Sequence, residues 1–158
     1  MSEIDSFLGE AIALAFDNVE QGGRPFGAVV VKDGEIVARA MNRMLADNDP
    51  TAHAELLALR AAGKALGSPR LDGLSVYASG QPCPMCLAAM RMAGIKDIAF
   101  AYSNEDAEAF GLSTAAYAAE LSKPLDQQSG VSIRHCPPKA GGGRNLYQVW
   151  QARAGSKS

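Results

Sequence analysis

Three features of this 158-residue chain predict an α/β fold in three layers. Apolar residues recur at helical spacing in several segments, short β-branched runs lie between them, and Gly, Pro and Asp punctuate the joins. Strands alternating with helices call for a sheet with helices on its faces, one antiparallel hairpin being joined to parallel crossovers. With 47% hydrophobic and 20% charged residues, a chain of this length can bury its own core. No linker or repeat divides it, so one domain is expected over 1–152, followed by a short polar tail at 153–158.

Ile4, Phe7, Leu8, Ala11, Ile12 and Ala15 share a helical face, and Ser2-x-x-Asp5 offers a start signal, predicting a helix over 3–20. The two β-branched runs of "FGAVVVKDGEIVARAMN" flank Asp33-Gly34, a hairpin turn. Asp49-Pro50 then suits the cap and first residue of an Ala- and Leu-rich helix over 51–66. "GSPRLDG" breaks that helix, and "LSVYAS", 74–79, reads as a buried strand. A third helix opens at "PCPMC", with Pro84 in its first turn and Gly94 near its end. "KDIAFAYS", 96–103, is another strand, and "NEDAEAFG", 104–111, fits helix or loop. "STAAYAAELSK", 113–123, is a short helix stopped by Pro124, and "GVSIRHC", 130–136, has an edge-strand pattern. After the loop at 137–143, "RNLYQVWQARA" is a terminal helix carrying the only tryptophan, Trp150.

A formal charge of −2 does not point to a nucleic-acid or acidic-membrane partner. The acidic, amphipathic N-terminus does not read as an export signal, and no apolar run reads as long enough to span a bilayer. Three cysteines cannot all pair, so a reducing cytoplasm is the expected location.

Cys83 and Cys86, three positions apart, share one face at a helix start, where the macrodipole favours thiolates. Alone, such a pair serves metal binding, redox chemistry or packing. His53 and Glu55 fall in the first turn of the second helix. Taken singly, a histidine there fits a hydrogen-bonded core position, and a glutamate simply favours the dipole. Together the four residues complete the H-x-E…P-C-x-x-C pattern of zinc deaminases. His53, Cys83 and Cys86 would then hold Zn2+, leaving its fourth position for water. Glu55 would carry a proton from that water to the amine leaving an amidine-like ring carbon. The competing arrangement is a structural zinc closed by Cys136 or His135, which leaves Glu55 without a purpose.

With these motifs in place the chain resembles the cytidine deaminase superfamily, in the branch holding bacterial guanine deaminases and tRNA adenosine deaminases. "PFGAVVVKDG", "MNRMLADNDPTAHAELLALR", "PCPMCLAAM" and the strand that follows carry the resemblance. It implies a mixed, about five-stranded sheet flanked by helices, and a homodimer or larger assembly. It places His53, Cys83 and Cys86 on zinc and makes Glu55 the proton shuttle. It further implies that Asn42 hydrogen-bonds a heterocyclic small-molecule substrate, that the Ala54 backbone meets the ring near the leaving amine, and that Phe26 lines the pocket. Trp150 and Tyr147 would close over a pocket, their own or a neighbour's. Each has a plainer alternative: Asn42 as a turn cap, Phe26 as core, the terminal helix packed on its own domain.

Guanine leads among substrates, because "NDPTAHAE" and "PCPMCLAAM" look closest to guanine deaminases. A tRNA-editing enzyme needs Lys and Arg along a groove, and Lys139, Arg144, Arg153 and Lys157 are too sparse to supply one. Two departures stand against guanine. Gln81 precedes "PC" where similar enzymes carry Glu, and Ser113-Thr114 occupies a position where an acid reads guanine's donors. A hydroxyl accepts without a carboxylate's charge-assisted strength. Cytosine, pterin or triazine deamination, tRNA adenosine deamination, and a non-catalytic zinc-stabilised binding module are therefore the alternatives.

Overall fold

The computed structural model describes residues 2–139 and 142–155. The first helix, α1 (Glu3–Glu20), starts where expected: the Ser2 hydroxyl accepts the Asp5 N–H at 3.1 Å, and the Asp5 carboxylate accepts the Ser2 N–H at 3.3 Å. Phe7, Ala11, Ala15 and Asn18 form its buried stripe.

Strands β1 (Gly27–Lys32) and β2 (Glu35–Met41) pair antiparallel around Asp33-Gly34, both at positive φ, as a two-residue turn of this hand requires. The register shifts between Val30 and Val31, whose partners are Ala38 and Ile36, so Val37 is the extra residue of a bulge. β3 (Ser75–Gly80) joins the other side of β1 antiparallel, and β4 (Asp97–Tyr102) pairs with β3 in parallel. The result is a mixed sheet of four strands in the order β2-β1-β3-β4. The expected fifth strand is not among the described residues: 130–136 has no strand structure. Gly130 takes φ +73, Pro137-Pro138 follows, and Val131 and Ile133 both stay exposed, so the alternating pattern has no buried face to serve.

The helix expected over 51–66 begins later, as α3 (Ala54–Leu66), after a short α2 (Met44–Asp47). Asp49 causes the delay. Its carboxylate accepts the Thr51 N–H at 2.8 Å and the Thr51 hydroxyl at 2.7 Å, closing a tight turn. His53, not Asp49, thereby becomes the N-cap. α4 (Pro84–Met92) starts at Cys83, and α5 (Asn104–Glu108) resolves the ambiguous segment as a helix with a Ser103–Asp106 capping box. α6 (Ala115–Leu121) follows.

β1 is buried on both faces. Ala28 and Val30 pack with Ala58 and Leu59 of α3 and Met90 of α4, whereas Val29 and Val31 pack with Phe7 of α1 and Tyr77 of β3. Gly27 marks the closest approach of strand to helix. A Cβ there would collide with the Ala11 carbonyl and fall 2.7 Å from Leu14 Cβ and 2.9 Å from Ala15 N. Gly27→Ala should therefore cost about 1–3 kcal/mol of stability, measurable as a lower urea midpoint at an unchanged slope.

These elements belong to one compact unit, Met1–Lys123; a second unit spans Pro124–Ser158. The second unit contains a 3-10 turn (Leu125–Gln127) and α7 (Leu146–Ala154), which matches the expected terminal helix. Arg153 and Ala154, assigned to the polar tail from sequence, form the last turn of α7; residues 156–158 of that tail lie outside the described residues. No described helix is long and apolar enough to cross a membrane.

Candidate metal centre

Two helix starts make the site. His53 caps α3 with φ −72 and ψ 148, an extended backbone that swings its imidazole off the helix. Cys83 caps α4 in a similar conformation, and Pro84 preorganises the first turn without needing a hydrogen-bond acceptor. Cys86 then lies on the face that Cys83 begins. β3 runs into the second start and places it beside the first, in the core shared by Ala54, Cys83 and Cys86.

His53 Nδ1 lies 3.4 Å from each of the two sulfurs. The three donor atoms all fall within 4.8 Å of one another, the only such His/Cys/Asp/Glu cluster among the described residues. Bonds of about 2.3 Å to sulfur and 2.0–2.1 Å to nitrogen, at a tetrahedral angle, put S and N about 3.5 Å apart. The observed spacing fits zinc. His53, Cys83 and Cys86 are positioned to bind a metal ion.

The electrostatics agree with the donor set. A hydrogen bond from the Cys86 thiol, helped by His53, pulls the Cys83 pKa down to about 4. Sharing that proton, together with burial, pushes Cys86 up. The Cys83 contact outweighs burial and raises His53. Without metal, the pair thus carries one thiolate and one shared proton, which a divalent ion would displace.

Glu55, in the first turn of α3, is only 7% exposed. Burial is the largest cause pushing its carboxyl above the usual range, and the Cys83 charge adds to it. It is not part of the three-ligand cluster. A buried acid beside a metal site but outside its ligand set is suited to moving protons.

Asn42 takes the turn-cap role considered for it. Its Oδ1 accepts the Met44 N–H at 3.0 Å, a turn cap, while its side-chain N–H2 has no protein acceptor among the described residues. Ala54 is buried at the first position of α3, where a backbone N–H lacks an intrahelical partner. Phe26 packs against the core cluster containing Cys83 and Cys86, and it also lines a cavity of about 610 Å³ shared with Phe16, Gly80, Gln81 and Phe110. His53, Cys83 and Cys86 are not among the residues that line this cavity. Trp150, in the second unit, is exposed on α7. Cys136 is an exposed free thiol.

The two departures noted in the sequence are parts of one hydrogen-bonded chain. Gln81 Oε1 accepts the Asn104 N–H at 2.9 Å, and Asn104 Oδ1 accepts the Thr114 N–H at 3.2 Å. Ser113 Oγ accepts the Ala115 N–H. Gln81 thus ties the loop before Cys83 to α5 with a neutral acceptor, and both hydroxyl residues are engaged locally.

Two residues escaped the sequence reading. Asn18 is the one polar residue on the buried stripe of α1, a signal visible in the periodicity. Its amide donates to the carbonyls of Arg24 at 2.7 Å and Asn42 at 2.8 Å. Arg24 itself gave no signal beyond standing two positions before Phe26.

Comparison with known proteins agrees with this geometry. Residues 1–102 match the model of the cytidine and deoxycytidylate deaminase zinc-binding region. A guanine deaminase of Bacillus subtilis is 43% identical over 126 residues, covering 79% of this chain and 81% of that one. A tRNA-specific adenosine deaminase of the same species is 40% identical over 100 residues, 63% and 62% of the two chains. An X-ray structure of guanine deaminase from Bacillus subtilis superposes with a TM-score of 0.81 at 38% identity, covering 94% and 93%.

Proposed function

Because the chain belongs to the family of cytidine and deoxycytidylate deaminases marked by their zinc-binding region, and is thus a zinc-dependent hydrolytic deaminase, we propose that its substrate is a free nucleobase, with guanine first. One observation carries the reading: a three-ligand zinc site with a buried carboxylic acid, Glu55, alongside. The guanine deaminase relative, aligned over four-fifths of both chains, supports the choice of base.

Held by His53, Cys83 and Cys86, zinc would supply the Lewis acidity that makes a water nucleophilic near neutral pH. Glu55 accepts that water's proton and returns it to the departing amine, which leaves as ammonia. The Asn42 amide donates to an acceptor on the ring, and the Ala54 N–H faces the reacting edge. Phe26 bounds the ring on one side, and Trp150 serves as a lid residue.

The same reading makes the sheet the middle of three layers, supported by α1 packing on one face of β1 and α3 with α4 on the other. It takes residues 1–152 as one functional domain. It places the enzyme in the cytoplasm as a homodimer, in keeping with three unpaired cysteines and with exposed Phe16, Val19 and Phe110 available for burial.

Transfer-RNA adenosine deamination is the second reading, favoured by the 40% identical relative. Ammonia release across guanine, cytosine, adenine, isoguanine, pterins and triazines, alongside editing of an anticodon stem-loop, separates the candidates. Guanine should be the best substrate, and the stem-loop should remain unedited. Faster turnover of another ring, or editing, overturns the guanine assignment.

A further inference from the structure

The buried amide of Asn18 joins α1 to two segments of the candidate site. Its Nδ2 donates to the Arg24 carbonyl at 2.7 Å and to the Asn42 carbonyl at 2.8 Å, which engages both of its hydrogens. From there backbone hydrogen bonds run toward the metal centre. The Phe26 N–H donates to the Arg24 carbonyl at 2.8 Å, and the Asn42 N–H to the Phe26 carbonyl at 3.0 Å. Arg43, next to Asn42, donates to the carbonyl of Ala52, next to His53, at 2.9 Å. One side chain of α1 thus fixes the join between the Phe26 loop, the end of β2 and the segment that delivers His53. The loop leaves that side chain little room to turn. The Gly23 N–H donates to the Asn18 carbonyl at 2.8 Å, and a Cβ on Gly23 would lie 2.6 Å from the Asn18 amide.

The clamp matters for where it leaves Asn42. The Oδ1 of this residue is held by the Met44 N–H at 3.0 Å, while its Nδ2 has no protein acceptor among the described residues. Among those residues, the single side-chain nitrogen or oxygen both shut off from solvent and without a partner is Arg24 Nε. The Asn42 Nδ2 therefore opens on space that solvent can enter. A donor anchored at one end and unpartnered at the other, beside the cap of α3, is a ready contact for a ring acceptor. We infer that Asn18 is a positioning residue: by holding the Asn42 carbonyl it aims the Asn42 amide at the substrate, itself touching neither substrate nor zinc. The inference rests on the proposed contact between Asn42 and the ring. Its physical basis is that a contact group misplaced by about 1 Å costs on the order of 100-fold in rate.

The test is a double-mutant cycle on the zinc-loaded protein: wild type, Asn18→Ala, Asn42→Ser and the pair. Serine at position 42 keeps an oxygen for the Met44 N–H and removes the amide donor. The readout is kcat/KM on whichever ring of the ammonia-release panel wild type turns over fastest. Asn18→Ala should lose about 10- to 100-fold. On the Asn42→Ser background the same change should cost less than about threefold, because no amide is left to aim. Zinc content should match wild type throughout. An equal loss on both backgrounds makes Asn18 a general support of the fold and overturns the assignment. So does a loss on neither, or zinc lost with Asn18→Ala. If Asn18→Ala does not fold, Asn18→Ser is read in the same way. An Asn42→Ser protein as active as wild type sinks the Asn42 contact itself. That outcome is distinct from an Asn18 replaced without effect in a protein that does need Asn42.

Discussion

Glu55→Gln should cut ammonia release by about 10²–10⁴-fold, the range that a positioned proton shuttle supplies, while leaving one zinc per chain. Gln matches Glu in shape and keeps a carbonyl acceptor, but it cannot take up a proton and hand it on. Because Glu55 is buried and outside the three-ligand cluster, the change removes the shuttle without removing a ligand. Metal analysis beside the steady-state assay makes the distinction. Turnover within a fewfold of wild type refutes the role of Glu55 and favours a binding module. Loss of zinc along with turnover makes Glu55 a support of the metal.

Cys86→Ala should have the larger effect on the metal. Cys86 is fully buried in the first turn of α4, with Nδ1 of His53 3.4 Å from its sulfur. Removing it leaves two ligands, too few to hold zinc against water. Affinity should fall by more than about 100-fold, beyond the cost of losing a supporting contact, and turnover should fall with occupancy. A holoprotein gains stability from every ligand that binds only the folded state, so the thermal midpoint should fall too. Cys136→Ala provides the contrast. Its thiol is exposed, and zinc content, activity and midpoint should all match wild type. A structural zinc closed by Cys136 predicts the reverse, with metal lost from both variants.

The chemistry-bearing residues were legible because their roles depend on local spacing. H-x-E sets an imidazole at a helix cap and a carboxylate two positions on. C-x-x-C repeats one face of the next helix. A strand between them suffices to bring the two starts together, and the structure does so. The hairpin was legible for the same reason: Asp33-Gly34 leaves few turn geometries open. What lay beyond the sequence depends on partners distant along the chain. The start of α3 moved from Asp49 to His53 because the Asp49 carboxylate spent its lone pairs on Thr51. The strand expected at 130–136 had the right alternation, but Gly130 at positive φ opens it and Val131 and Ile133 both stay exposed, so the pattern buries no face. Asn18 clamps carbonyls 6 and 24 positions away, and no local pattern announces such a contact.

X-ray absorption at the zinc edge tests the central claim most directly. Two sulfurs near 2.3 Å, one imidazole nitrogen near 2.0 Å and one further oxygen that is exchangeable with solvent or inhibitor are the predicted shell. A fourth shell atom from the protein, whether a third sulfur, a second imidazole or the Glu55 carboxylate, would contradict it and turn the metal into a purely structural one.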